Sequence, residues 1–142
     1  MSMFNVRYLV VPPKMSIALQ EEDNYELLSA GTGYRLYENR SSLPLAWPVQ
    51  RLVSYTGIAD VKEAMYDCSM NPGYEAAVQE DDMKKIGFPV MLSNGKVRLV
   101  EHHNGRIVLN TDFPGSGFVV VAEQYYPGWK ARVDKTPVSI YQ

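Results

Sequence analysis

One cysteine, Cys68, is all the chain carries in 142 residues. A lone thiol excludes an internal disulfide framework and a cysteine-based metal site. It leaves the compartment open, because many extracytoplasmic domains have no disulfides. Long apolar runs are also missing, and no window approaches the roughly 20 residues that a membrane-spanning helix needs. Met1-Ser2-Met3 is not a basic stretch followed by an apolar one, so no secretory leader is legible and the start reads as the boundary of an excised piece. There is no basic excess: the formal net charge is -2, which speaks against a nucleic-acid partner. Gly-rich phosphate loops, nucleophile elbows and HExxH patterns are absent. Glu21, Glu22 and Asp23 lack the alternating carboxylates and central glycine of a calcium loop and read as a solvated acidic loop. Cys68 has no basic neighbour to activate it and reads as a free, partly buried thiol. No catalytic residue, cofactor or metal is expected. A small enzyme would need converging titratable groups, and no spacing here supplies them.

What is present fits one β-rich domain spanning 1–142. Hydrophobic residues make up 46% and charged residues 21%, enough apolar surface to exclude wholesale disorder. The ten Tyr and nine Pro lean towards strands with edges and turns. Phe4 to Val11 reads as a strand stopped by Pro12-Pro13. Ile17 to Leu28 is ambiguous, with Tyr25 to Leu28 a short strand or a turn of helix. Tyr34 to Glu38 is a strand ending in a turn at Asn39. Leu45 to Tyr55 is another, pushed by Pro48 to an edge or a bend. The best helix is Ala59 to Tyr66, with Ile58, Val61, Met65 and Tyr66 as its apolar stripe. Tyr74 to Val78 is a short strand, Gln79 to Lys85 a polar loop, and Phe88 to Leu92 an apolar run. The fold class expected is mainly β, an antiparallel, jelly-roll-like β-sandwich with one short helix near 59–66.

Lys96 to Glu101 and Arg106 to Thr111 flank Asn104-Gly105, a strong hairpin signal. A two-residue turn would pair Val100 with Leu109 and split the apolar set between faces. A three-residue loop over 103–105 pairs Leu99 with Leu109 and Glu101 with Ile107, putting Val97, Leu99, Ile107 and Leu109 on one face. Register follows the buried face, so the three-residue loop is expected, with Gly105 left-handed. His102 and His103 are adjacent on a strand, point to opposite faces, and make a poor chelating pair. They are expected to be exposed at the hairpin tip.

Phe118 to Val133, FVVVAEQYYPGWKARV, is the organising stretch. It reads as a buried strand, a reversal, and a strand with one wet face. Tyr126-Pro127-Gly128-Trp129 fits a type II turn, with proline at the second position and glycine at the third. Val138 to Tyr141 is a final strand. Trp47, Tyr125, Tyr126 and Trp129 are the candidate carbohydrate contacts, a stacking platform in a stand-alone β-sandwich module. The alternative for them is core and turn packing, since Trp129 shares a strand face with Ala131 and Val133.

The same stretch carries a resemblance. EQYYPGWKARVDKTPV at 123–138 resembles the E-x-Y-Y-P-G-W-x-A-x-V-D-G-x-P signature near the end of YfhO-like bacterial membrane proteins. Asn5-Val6-Arg7-Tyr8 is similar to the family's N-V-R-Y strand. Tyr37-Glu38-Asn39 with Leu43-Pro44 is similar to its Y-E-N-x-x-x-L-P-R strand and loop. The resemblance implies an extracytoplasmic C-terminal β-domain of a polytopic, glycosyltransferase-like protein at the bacterial cell membrane. It implies that the parent uses polyprenyl-phosphate sugars to glycosylate cell-envelope polymers, with its catalytic acid outside this chain. The implied partners are the transmembrane region of the parent chain and an envelope glycopolymer. Two departures stand out. Leu45 replaces the family's arginine and removes a charge. Lys135 replaces its glycine and disfavours a positive-φ turn there. The family also continues with one or two strands past the point where this chain stops. An unpaired sheet edge and an edge-strand homodimer are therefore expected.

Overall fold

A computed structural model describes residues 5–13, 24–87 and 92–142. The acidic Glu21-Glu22-Asp23 loop and most of the Phe88 to Leu92 run lie outside the described residues. Strands hold 44% and two short helices 14%, so the fold is mainly β, as expected. The chain divides into two compact units, Met1–Leu45 and Ala46–Gln142.

The first unit is an antiparallel sheet in the order β1-β3-β2, built from β1 (Tyr8–Val11), β2 (Tyr25–Ala30) and β3 (Arg35–Asn39). The ambiguous Tyr25 to Leu28 segment is thus strand, with a register shift between Leu27 and Ser29. A bulge of this kind absorbs one extra residue and bends the edge. The Gly31 N–H closes the β2–β3 connection on the Tyr34 carbonyl at 2.9 Å. Asn39 does more than turn the chain. It is 2% exposed, its Nδ2 donates to the Val6 carbonyl at 3.0 Å, and its Oδ1 accepts from the Ser41 N–H and hydroxyl. A buried amide is tolerated only when its polar atoms are satisfied, and here those bonds tie the entry of β1 to the exit of β3. Arg7 adds an ion pair to Glu38 at 3.0 Å. The hydrogen bond to Glu38 raises the Arg7 pKa above its ordinary value.

The second unit begins with β4 (Ala46–Val49), β5 (Arg51–Tyr55), α1 (Ile58–Tyr66), β6 (Glu75–Gln79) and α2 (Glu80–Ile86). It continues with β7 (Lys96–His103), β8 (Arg106–Asp112), β9 (Phe118–Val121), β10 (Ala131–Val133) and β11 (Thr136–Val138). The expected single strand from Leu45 to Tyr55 is therefore two. They part at Gln50 because each has its own partner. β4 runs antiparallel to β9, with Pro48 opposite Val119. β5 runs parallel to β6, with Leu52 opposite Ala76. Parallel strands need a crossover, and α1 provides it, making a βαβ unit within a fold otherwise paired antiparallel. The Gln50 and Arg51 N–H groups both reach the Tyr74 carbonyl. The core sits where these strands meet: Ala46, Trp47, Val49, Leu52 and Val78 are buried, and Val49 is fully enclosed.

The helix α1 lies where expected, but its apolar stripe does not. Ile58 and Tyr66 are exposed, while Val61, Ala64 and Met65 are half-buried. Gly57 at the N-cap has no side chain to offer. Asp60 compensates by accepting from the Thr56 hydroxyl at 2.6 Å and from the Thr56 and Gly57 N–H groups, satisfying donors that the first turn leaves open. Cys68 follows the helix in left-handed backbone at φ 59°. It is exposed, contrary to the expected partial burial, because it lies past the Asp67 C-cap, beyond the end of the helix.

Gln79 to Lys85 was expected as a polar loop and is instead mostly α2. Its acids fill the first turn and its lysines the last, the order that the helix dipole favours. Lys84 pairs with Glu80 and Asp81, and Lys85 with Asp82. Gly87 follows at φ 60°, the backbone that glycine adopts most readily. Further on, the Phe113 ring occupies the space that a Cβ would take at both Gly95 and Gly117. The Ser93 N–H and hydroxyl both donate to the Ser116 carbonyl at 2.8 Å, so the two flanking loops close around that ring. No helix among the described residues is long and apolar enough to cross a membrane.

Candidate functional site

Two turns of the second unit shape the candidate site, and a third follows them in the chain. The first is the β7–β8 tip. His103 faces Arg106 and Leu99 faces Leu109, with a register shift between Leu99 and Glu101. The turn is thus the two-residue Asn104-Gly105 type, not the expected three-residue loop, and Glu101 faces Val108 instead of Ile107. A bulge at Val100 is the physical reason. One extra residue lets Asn-Gly keep its short turn while Leu99 keeps its apolar partner. Gly105 is left-handed at φ 79°, as expected.

The second turn is Tyr126-Pro127-Gly128-Trp129. The Trp129 N–H donates to the Tyr126 carbonyl at 3.2 Å and Gly128 has φ 113°, which together make the expected type II turn. The strand after it is shorter than expected, running only from Ala131 to Val133. The third turn, Asp134-Lys135, joins β10 to β11, with Val133 opposite Thr136. Asp134 has φ 48° and Lys135 φ 76°, a pair of left-handed residues matching a type I′ hairpin. Lysine thus occupies the positive-φ turn that its side chain disfavours. The final strand, Thr136–Val138, comes earlier than the expected Val138 to Tyr141.

The β7–β8 tip and the Tyr126–Trp129 turn enclose an open groove of about 840 Å³. Its walls carry His102, His103, Arg106, Glu123, Tyr126, Trp129 and Lys130, with Asn104 and Gln124 between them. The His102 Nε2 lies 3.6 Å from Glu123, and the His103 Nε2 lies 3.7 Å from Glu101. The two imidazoles therefore face different carboxylates and do not converge on a point. Arg106 is also 3.7 Å from Glu101. Lys130 has no ion-pair partner among the described residues. No group of three or more His, Cys, Asp or Glu side chains among the described residues is arranged to hold a metal.

The four candidate aromatics separate. Tyr126 and Trp129 line the groove; Tyr126 is exposed and Trp129 half-buried. Tyr125 is exposed but does not line it. Trp47 is 7% exposed and its indole N–H donates to the Pro72 carbonyl at 2.8 Å, so it packs in the core and cannot offer a face to a sugar. Arg106, Glu123, Gln124 and Lys130 were not singled out from sequence. Lys130 beside Trp129 was the one local hint; the rest join the site because the tip and the turn meet in space.

Comparison with known protein families, curated proteins and solved structures finds no match. The resemblance to YfhO-like proteins therefore stands on its quoted segments alone.

Proposed function

We propose that this chain is a non-catalytic, extracytoplasmic accessory domain of a YfhO-like membrane protein that takes part in glycosylating cell-envelope polymers. In this reading its partners are the transmembrane region of the parent chain, an envelope glycopolymer, and a second copy joined at an edge strand. The reading is supported above all by the way the resembling segments behave as units. The N-V-R-Y and Y-E-N segments bond to each other through Asn39 to Val6 and Arg7 to Glu38. The 123–138 segment folds as two tight turns flanking β10. The test is the reading frame that encodes the chain. About a dozen apolar spans of ~20 residues upstream of residue 1 are expected, and a frame without them overturns the assignment.

A stand-alone carbohydrate-binding module is the second reading. One observation favours it: Tyr126 and Trp129 both line the same open groove. A frame without apolar spans, together with saccharide binding by the isolated chain, would select it.

A further inference from the structure

We infer that the groove between the β7–β8 tip and the Tyr126–Trp129 turn binds an acidic saccharide, a pyranose bearing a carboxylate or a phosphate. Saccharides are held by three kinds of group: an aromatic face against the apolar side of the ring, amides for the hydroxyls, and a countercharge for any acidic substituent. All three line this groove. Tyr126 and Trp129 supply ring surface, Asn104 and Gln124 supply amides, and Arg106 and Lys130 supply fixed positive charge.

The balance of charge selects the ligand class. The whole chain is acidic, with a net charge of -2, yet the groove wall sets Arg106 and Lys130 against Glu123. Glu123 lies beside His102 at 3.6 Å. Arg106 lies 3.7 Å from Glu101, which leaves Lys130 as the cation open to a ligand. Lys130, Trp129 and Tyr126 line the same groove, so a ring stacked on either aromatic can turn an acidic substituent towards the ammonium. A neutral sugar would use the aromatics and leave this charge unanswered. A simple anion would use the charge and leave the aromatics idle.

This inference rests on the reading of the groove as a glycan-contact surface and is independent of the membrane assignment. Titration of the isotopically labelled chain, followed by amide and indole NMR shifts, tests it. The probes are tetragalacturonate, glucose 1-phosphate, the neutral maltotetraose, inorganic phosphate, and polyacrylate as a polyanion without sugar rings. The expected result is that an acidic saccharide shifts Trp129 and the 104–106 amides, at least about tenfold more tightly than the neutral sugar, inorganic phosphate or polyacrylate. The comparison of tetragalacturonate with glucose 1-phosphate shows which acidic group the groove takes. Lys130→Gln and Tyr126→Ala should each weaken that binding about fivefold or more. Both positions are exposed, Tyr126 opening the turn and Lys130 directly following it, and an unchanged spectrum elsewhere verifies the fold. Equal binding of the neutral sugar overturns the acidic class and leaves the glycan-contact reading standing. Equal binding of phosphate or polyacrylate overturns the saccharide. No binding of any probe overturns the inference and the glycan-contact reading together.

Discussion

Lys135 sits at φ 76° in a two-residue turn where the resembling signature has glycine. A left-handed backbone costs an L-residue about 1–2 kcal/mol, and glycine returns about 0.5–1 kcal/mol of that as lost unfolded-state restraint. Lys135→Gly is therefore expected to stabilise the chain by about 0.5–1 kcal/mol, raising the thermal midpoint by roughly 2–5 °C; calorimetry would measure it, and an unchanged or lower midpoint would contradict the turn geometry. Trp47 is the opposite case. Its ring is buried and its N–H is satisfied by Pro72, so Trp47→Ala should cost about 3–5 kcal/mol, read by urea unfolding. A near-neutral result would return Trp47 to the candidate binding residues. Both residues show how one position can look functional or forbidden by type alone. Trp47 resembled a stacking ring until burial placed it, and Lys135 seemed incompatible with a turn that its neighbours nonetheless impose.

At the scale of elements, one carboxylate caps the start of α1. The Thr56 hydroxyl bond, followed by the Gly57 and Thr56 N–H bonds, holds the Asp60 pKa below its ordinary 3.8. A depressed carboxylate adds stability that is fully present above its unfolded value and lost as pH falls through its folded value. Helical signal from α1 should thus fall as pH drops below 3.8, and Asp60→Asn should start lower and lose less over the same range. Circular dichroism between pH 6 and pH 2 measures both, and identical acid profiles for the two proteins would remove Asp60 from this role. Much of the element inventory was legible because its causes are local. Pro127-Gly128 specified a type II turn, Asn104-Gly105 a hairpin, and the 59–66 run a helix. α2 was also legible in principle, since Glu80, Asp81 and Asp82 precede Lys84, Lys85 and Gly87. Its short length and polar surface made it look like a loop. The Val100 bulge was not legible, because it reconciles two demands, the short turn and the Leu99–Leu109 pairing, that periodicity treats as exclusive.

For the molecule as a whole, the described core is small and much apolar surface faces outward. Val10, Ile58, Tyr66 and Val100 are all more than 60% exposed. β8 pairs with β7 alone among the described strands, leaving a seven-residue strand with one open edge. Such edges pair with a second chain unless they are covered or blunted. The isolated chain is expected to dimerise at concentrations of roughly 10–100 μM, with new amide protection along an edge strand. Sedimentation velocity with hydrogen exchange checks this, and a monomer at high concentration, with edge amides exchanging freely, would sink it.

Local chemistry in the chain was enough to establish a β-rich fold, its main turns and its first helix, because those follow from residues within a few positions of one another. Pairing depends on segments far apart in sequence. Only the tertiary structure decided that 45–55 divides between an antiparallel and a parallel partner. Only it brought Arg106 and Lys130 to one groove while sending Trp47 into the core. The physical reason is that burial and register are settled by which distant surfaces meet, and no short window of sequence contains both sides of that contact.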